Sequence, residues 1–267
     1  MYILTKDVRD AFIKGLHSSY ANLFEKKSIG NKEDILFGAI ELYLSGTPFS
    51  NRGAHRQPRI SDRDEVEEVL SPIVESIYKY FNTFPAPSSQ SEFDKIHNGW
   101  CLAFRENCKK YVCHTYGSGQ KFINILFKYL ACYSDSEKFA DWFKYSHMAL
   151  DRYTYNGYKL PFYRDIVCAK RYGKRPDDLR AWSKMCEDEY LKISHDIAEH
   201  VANNPKSFNS YLDICHSCSV FTSIAPLGGE DDYSLTAFEA EFFLWAIAKG
   251  CLDKPASFVR SIRERLV

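Results

Sequence analysis

The sequence predicts an all-α fold of roughly ten helices, on three observations. Apolar residues recur at helical spacing through almost every segment, capping residues stand ahead of several of these runs, and no apolar–polar alternation extends beyond four residues. The first periodic segment, residues 6–27, spaces Val8, Phe12, Leu16, Tyr20 and Phe24 about one turn apart. Residues 31–44 form the next, with Asn31 as N-cap and Asp34 in the first turn. Residues 61–81 take Ser61 as N-cap and Asp64 at the position where a capping box carries a carboxylate. Pro72 in that segment either kinks it or divides it in two. A helix follows the Pro-rich turn at 85–87. Further helices are expected at 120–134, 136–145, from near Asp151, at 177–203, at 207–219 and at 234–250. Residues 46–62 are the longest non-helical stretch, long enough to be a functional loop. One compact domain over residues 1–267 is expected, with two helical lobes as the alternative.

Composition narrows the function classes. The chain is 45% apolar and 26% charged, as in an ordinary soluble globular protein. Its 35 basic residues balance 35 acidic ones, so binding to a polyanion requires clustered positive charge. The opening "MYILTKDVRDAF" is charged by residue 6, and no apolar run approaches the ~18 residues of a membrane span. A cytoplasmic protein without membrane contact is the expectation. The nine cysteines are scattered, and Cys101, Cys132 and Cys168 lie in apolar helical patterns, which reads as buried thiols in a reducing compartment. "CHSC", residues 215–218, lacks the second ligand pair of a structural zinc site, and no four cysteines are spaced for an iron–sulfur cluster. No metal and no cofactor is expected. "APLGGEDD", residues 225–232, reads as a turn ahead of a helix.

The most pointed segment is "YGSGQKFINILFKYL", residues 116–130. Gly117 and Gly119 permit a tight turn between a helix ending near Val112 and one starting near Gln120, giving a hairpin near 113–121. Free amides and the helix dipole at such a start can hold a phosphate. Lys121, Asn124 and Lys128 fall on one side of the helix, opposite Phe122, Ile123, Leu126 and Leu130. A lysine in the first turn is opposed by the dipole, and burial lowers its pKa further, which makes the amine a usable nucleophile. A plain helix connection with a solvated lysine is the alternative.

Asp151 follows Leu150 in "SHMALDRYTYNGY", thirty residues after Lys121. A Gly-x-Gly-x-Lys turn, a helix, and an Asp after an apolar residue at a later helix start together resemble the helix-hairpin-helix DNA glycosylase superfamily. The separation resembles its archaeal 8-oxoguanine DNA glycosylase branch. "QKFINILFKYL" is similar to that branch's helix beginning Gln-Lys, and "LTAFEAEFFLWAIAKG" to its C-terminal core helix. The resemblance covers residues 100–160 and 234–250.

It implies excision of a damaged or modified base, with strand cleavage through a lysine Schiff base. It implies Lys121 as nucleophile at the sugar C1′ and Asp151 as the carboxylate that stabilises developing charge. It implies DNA held at Gly117, Ser118, Gly119 and Gln120, with no cofactor. Lys128 is a further DNA-contact candidate. The cluster Arg52, Arg56 and Arg59 and the cluster containing Lys170 and Arg171 are candidate phosphate-tracking surfaces. Asn124, His147, Trp100 and Trp142 are candidates for a flipped-base pocket. The competing reading is a non-catalytic helical DNA- or protein-binding module, such as a phage or bacterial defence factor.

Overall fold

The computed structural model describes residues 6–16, 24, 26–45, 62–110, 115–150, 185–229, 232–251 and 254–266. The regular structure among these residues is helical, and no strand occurs among them; one isolated antiparallel bridge joins Ser207 to Ser234. The α-helices are α1 Lys6–Leu16, α2 Lys32–Leu44, α3 Arg63–Asn82, α4 Gln90–Asn107, α5 Tyr116–Leu130, α6 Ala140–Phe143, α7 Glu187–Asn203, α8 Phe208–Ser217, α9 Ala237–Gly250 and α10 Ala256–Leu266. A 3-10 turn, Ser136–Phe139, leads into α6. No described helix is long and apolar enough to cross a membrane.

Local chemistry accounts for the boundaries. Asn31 caps α2 by accepting from the Glu33 amide at 3.0 Å. The cap of α3 is Asp62, whose Oδ1 accepts from the Asp64 and Glu65 amides; the expected cap, Ser61, lies outside the described residues. Pro72 neither divides nor ends α3. Buried Val66 and Leu70 before it and Ile73, Val74 and Ile77 after it continue one apolar stripe, so packing holds both halves in a single helix. Thr236 and Glu239 form a reciprocal capping box at α9. Thr236→Ala is expected to lower stability by ~1 kcal/mol, read from a urea unfolding curve. An unchanged midpoint would show that solvent fully replaces this half-buried cap.

The chain divides into two compact units. The first contains α2 to α6 and the first residues of α7, through Tyr190. Its centre is α5, every residue of which is buried. α5 packs on α2 and α4, and α3 packs on the same two helices. Trp100 stacks edge-on against Tyr80 at 5.1 Å and lies 5.4 Å from Phe127, within an aromatic core that also holds Phe81, Phe93 and Phe143. The turn before α2 is tied to the end of α5 by Asp135, which accepts from the Ser28 hydroxyl at 2.6 Å and the Ile29 amide at 2.8 Å.

The second unit contains α1, residues 147–150, the rest of α7, and α8 to α10. α9 packs on both α1 and α8. Phe12 meets Phe242 and Trp245, while Phe208 and Tyr211 meet Phe243. Buried Glu241 accepts from the Ala149 amide at 2.9 Å, which gives the carboxylate a partner inside this unit. The "APLGG" turn folds back on α8. Asn209 exchanges two hydrogen bonds with the Leu227 backbone, and Gly229 takes φ +56°.

Candidate functional site

Over residues 116–121 helix stands where the sequence predicts a hairpin. α5 starts at Tyr116, four residues earlier than expected, because Thr115 is its N-cap: the Thr115 hydroxyl accepts from the Ser118 amide at 3.1 Å. The Gly119 amide donates to the Thr115 carbonyl at 3.1 Å. Gly117, Ser118, Gly119 and Gln120 are therefore the opening turns of a buried helix and present no phosphate-gripping turn to solvent. The reason for a glycine is close approach. A Cβ at residue 119 would lie 2.7 Å from the Cys101 carbonyl oxygen and 3.3 Å from its Cα. Only a residue without Cβ lets the backbones of α4 and α5 meet there.

The new boundary also moves Lys121 to the second turn of α5, where the macrodipole has largely faded. Lys121 is 7% exposed and Lys128 is 2% exposed. Both belong to a helix enclosed on all sides, so the polar side expected for α5 faces protein rather than solvent.

That polar side carries a directional hydrogen-bond network. The Asn124 amide nitrogen donates to the Tyr190 hydroxyl at 2.8 Å and to Gln120 Oε1 at 3.2 Å. Gln120 in turn donates to the Gly117 carbonyl at 3.0 Å. Asn124 Oδ1 lies 2.9 Å from His97 Nε2. An amide oxygen can only accept, so Nε2 carries a proton, and Nδ1 lies 3.6 Å from the Cys101 thiol. The His97 ring stacks on Tyr190 at 5.6 Å and 18°. His97, Gln120 and Tyr190 are all fully buried, as is Cys101, so each bond in this chain forms in a low dielectric.

Burial pushes the Cys101 thiol and the Tyr116 hydroxyl up, so both stay protonated at neutral pH. The Tyr116 hydroxyl has no nitrogen or oxygen partner among the described residues; its polar neighbour is the Cys101 thiol. At the rim, Asn98 donates to Glu187 Oε1 at 2.5 Å, and Gln90 donates to Asp94 and to the Tyr145 carbonyl. No group of three His, Cys, Asp or Glu side chains among the described residues could hold a metal ion.

The other sequence-predicted residues separate. Trp100 donates its indole N–H to Ser76 Oγ at 3.0 Å, and Trp142 donates to the Tyr80 carbonyl at 2.8 Å. Both indole N–H groups are engaged in internal bonds of the first unit. His147 is buried in the second unit. Asp151, the cluster Arg52, Arg56 and Arg59, and the cluster with Lys170 and Arg171 lie outside the described residues. Of the predicted site, Gln120 and Asn124 are brought together, with Lys121 between them on the same helix. His97, Cys101, Tyr116 and Tyr190 are not singled out by the sequence. The available signal was His97 and Cys101, then Gln120 and Asn124, each four apart within apolar helices and thus on one buried face.

What these features define is an all-helical protein with a polar network and two lysines buried around one central helix. Comparison with protein-family models, with curated proteins and with solved structures finds no match in any of the three.

Proposed function

We propose that this protein is a DNA glycosylase with lyase activity toward a damaged or modified base, with Lys121 as nucleophile. The observation that carries this reading is the burial of Lys121 in α5. In this reading the enclosed Lys121 amine is the nucleophile. The resemblance at Gln120–Lys121 and at Asp151 supplies the chemistry. The Lys121 Nζ lone pair forms a bond to C1′, and the glycosidic bond breaks with its electron pair leaving on the base, which takes up a proton. Loss of an amine proton and ring opening give the Schiff base, and β-elimination then expels the 3′ phosphate. Asp151 would stabilise the positive charge at C1′ and carry the proton between amine and sugar oxygen. Because the glycines are enclosed in α5, DNA contact in this reading falls to the two basic clusters.

The second reading, a non-catalytic helical binding module, is favoured by one observation: Gly119 serves helix packing against Cys101. Borohydride trapping on abasic and lesion-bearing duplexes separates the two. The native protein should yield a covalent adduct. Lys121→Gln, verified as folded by circular dichroism, should yield none while keeping most of its DNA affinity. If the native protein neither traps nor releases any base, the enzymatic reading is lost. If Lys121→Gln still traps, the nucleophile is another amine, with Lys128 the first to test.

A further inference from the structure

The C-terminal ends of α8 and α9 bring two thiols from distant parts of the chain into contact. Cys218 is the C-cap of α8 and Cys251 the C-cap of α9. Their Sγ atoms are 3.6 Å apart across 33 residues of sequence, and both side chains are buried. The approach is built in rather than incidental. The Val220 amide donates to the Cys215 carbonyl and the Ser219 amide to the His216 carbonyl, the paired bonds of a Schellman motif. Ser219 takes the left-handed conformation that motif needs, φ +58°. These bonds fix where Cys218 stands. On the other side, a Cβ at Gly250 would lie 3.0 Å from the Cys218 carbonyl oxygen and 2.8 Å from a Val220 methyl, so the missing side chain is what admits the close contact. The third thiol nearby, Cys215, is directed to the Phe243 carbonyl at 3.9 Å. Arg265 Nη1 donates to Ser217 Oγ at 2.6 Å, which ties α10 to the end of α8 beside Cys218.

We infer that Cys218 and Cys251 are a dithiol that converts to a disulfide on meeting a low-molecular-weight disulfide such as glutathione disulfide, locking the ends of α8 and α9 together. In the first step the Cys218 thiolate attacks one sulfur of the small disulfide, whose S–S bond breaks and releases one thiolate. In the second, the Cys251 thiolate attacks Cys218 Sγ, forming the protein S–S bond and releasing the second thiolate. The protein loses two electrons and two protons, which end on two molecules of small thiol. The hydrogen bond with Cys251 and burial hold the folded Cys218 thiol protonated, so exchange passes through local opening or occurs during folding.

The test uses the full chain. The protein is refolded with glutathione disulfide, and disulfides are then mapped by peptide mass spectrometry with fragmentation. Expected are a mass lower by two hydrogens, a peptide pair joined at Cys218 and Cys251, and a thermal midpoint raised by ~5–10 °C over the reduced protein. Cys218→Ser and Cys251→Ser should lose both the bond and the shift, while Cys108→Ser keeps them. A folded protein with no Cys218–Cys251 bond under these conditions overturns the inference, as does a bond that leaves the midpoint unchanged. If the serine variants fail to fold, the map and midpoints of the native chain decide alone. The outcome is independent of DNA chemistry.

Discussion

Gly119→Val is expected to destabilise the protein by about 3 kcal/mol, enough to remove a large share of an ordinary domain's stability. The added Cβ would meet the Cys101 carbonyl oxygen at 2.7 Å, and this neighbour is backbone of α4, which cannot swing aside as a side-chain tip can. Relief requires α5 to move away from α4. The valine methyls then oppose the packing of Phe104 on Phe122, whose rings stack at 4.6 Å across the same interface. Gly119→Pro should be at least as severe, since it removes the donor that closes the first turn onto the Thr115 carbonyl. Gly99→Ala is the control on α4. That glycine is exposed, and a methyl group added there would meet nothing within 4 Å, so alanine should stabilise by up to ~1 kcal/mol through helix propensity. Urea unfolding followed by helical ellipticity reads both. A Gly119→Val protein with an unshifted midpoint would mean that the α4–α5 contact carries no weight in the fold.

The same residues show what was legible in the sequence. Helices were readable wherever an apolar stripe and a capping residue coincide, as in α2, α4, α8 and α9, because both signals are local. The start of α5 was not readable from glycine spacing. Two glycines four or fewer residues before an apolar run suit a turn and a tight helix crossing equally, and only Cys101, eighteen positions upstream, decides between them. α10 does not stand out in the sequence, although Val259, Ile262 and Leu266 are spaced for one buried face. Its apolar stripe is only three residues long and flanked by arginines. The polar network needed tertiary information throughout: Asn124 meets a histidine 27 residues before it and a tyrosine 66 after it. The Cys218–Cys251 contact has no local signal either, since each cysteine is merely a helix C-cap until the two helices pack. Of the proposed catalytic pair, Lys121 lies buried in α5 and Asp151 lies outside the described residues.

Asn124→Leu is expected to cost ~3 kcal/mol or more, although leucine has the same number of side-chain heavy atoms as asparagine. Asn124 accepts from His97 and donates to both Gln120 and Tyr190. Leucine can do neither, so a histidine N–H, an amide oxygen and a tyrosine hydroxyl each lose this partner inside the core, at ~1–3 kcal/mol apiece. The greater hydrophobicity of leucine offsets part of that loss. Because the penalty lies in the groups left behind, it should shrink when one of them is also removed. The double variant Asn124→Leu with His97→Leu is therefore expected to be more stable than the sum of the single effects allows, by ~0.5–3 kcal/mol. Asn124→Asp separates polarity from charge. It keeps an acceptor for His97 but places a carboxylate where the amide donated, so it should be markedly less stable above pH 5 and recover as acid protonates it. Its raised folded pKa makes the missing stability return as pH falls. Equilibrium unfolding of the native protein and the four variants at pH 7, repeated for Asn124→Asp at lower pH, measures each term. Strictly additive single and double effects would show that these side chains act independently and that no connected network braces α5.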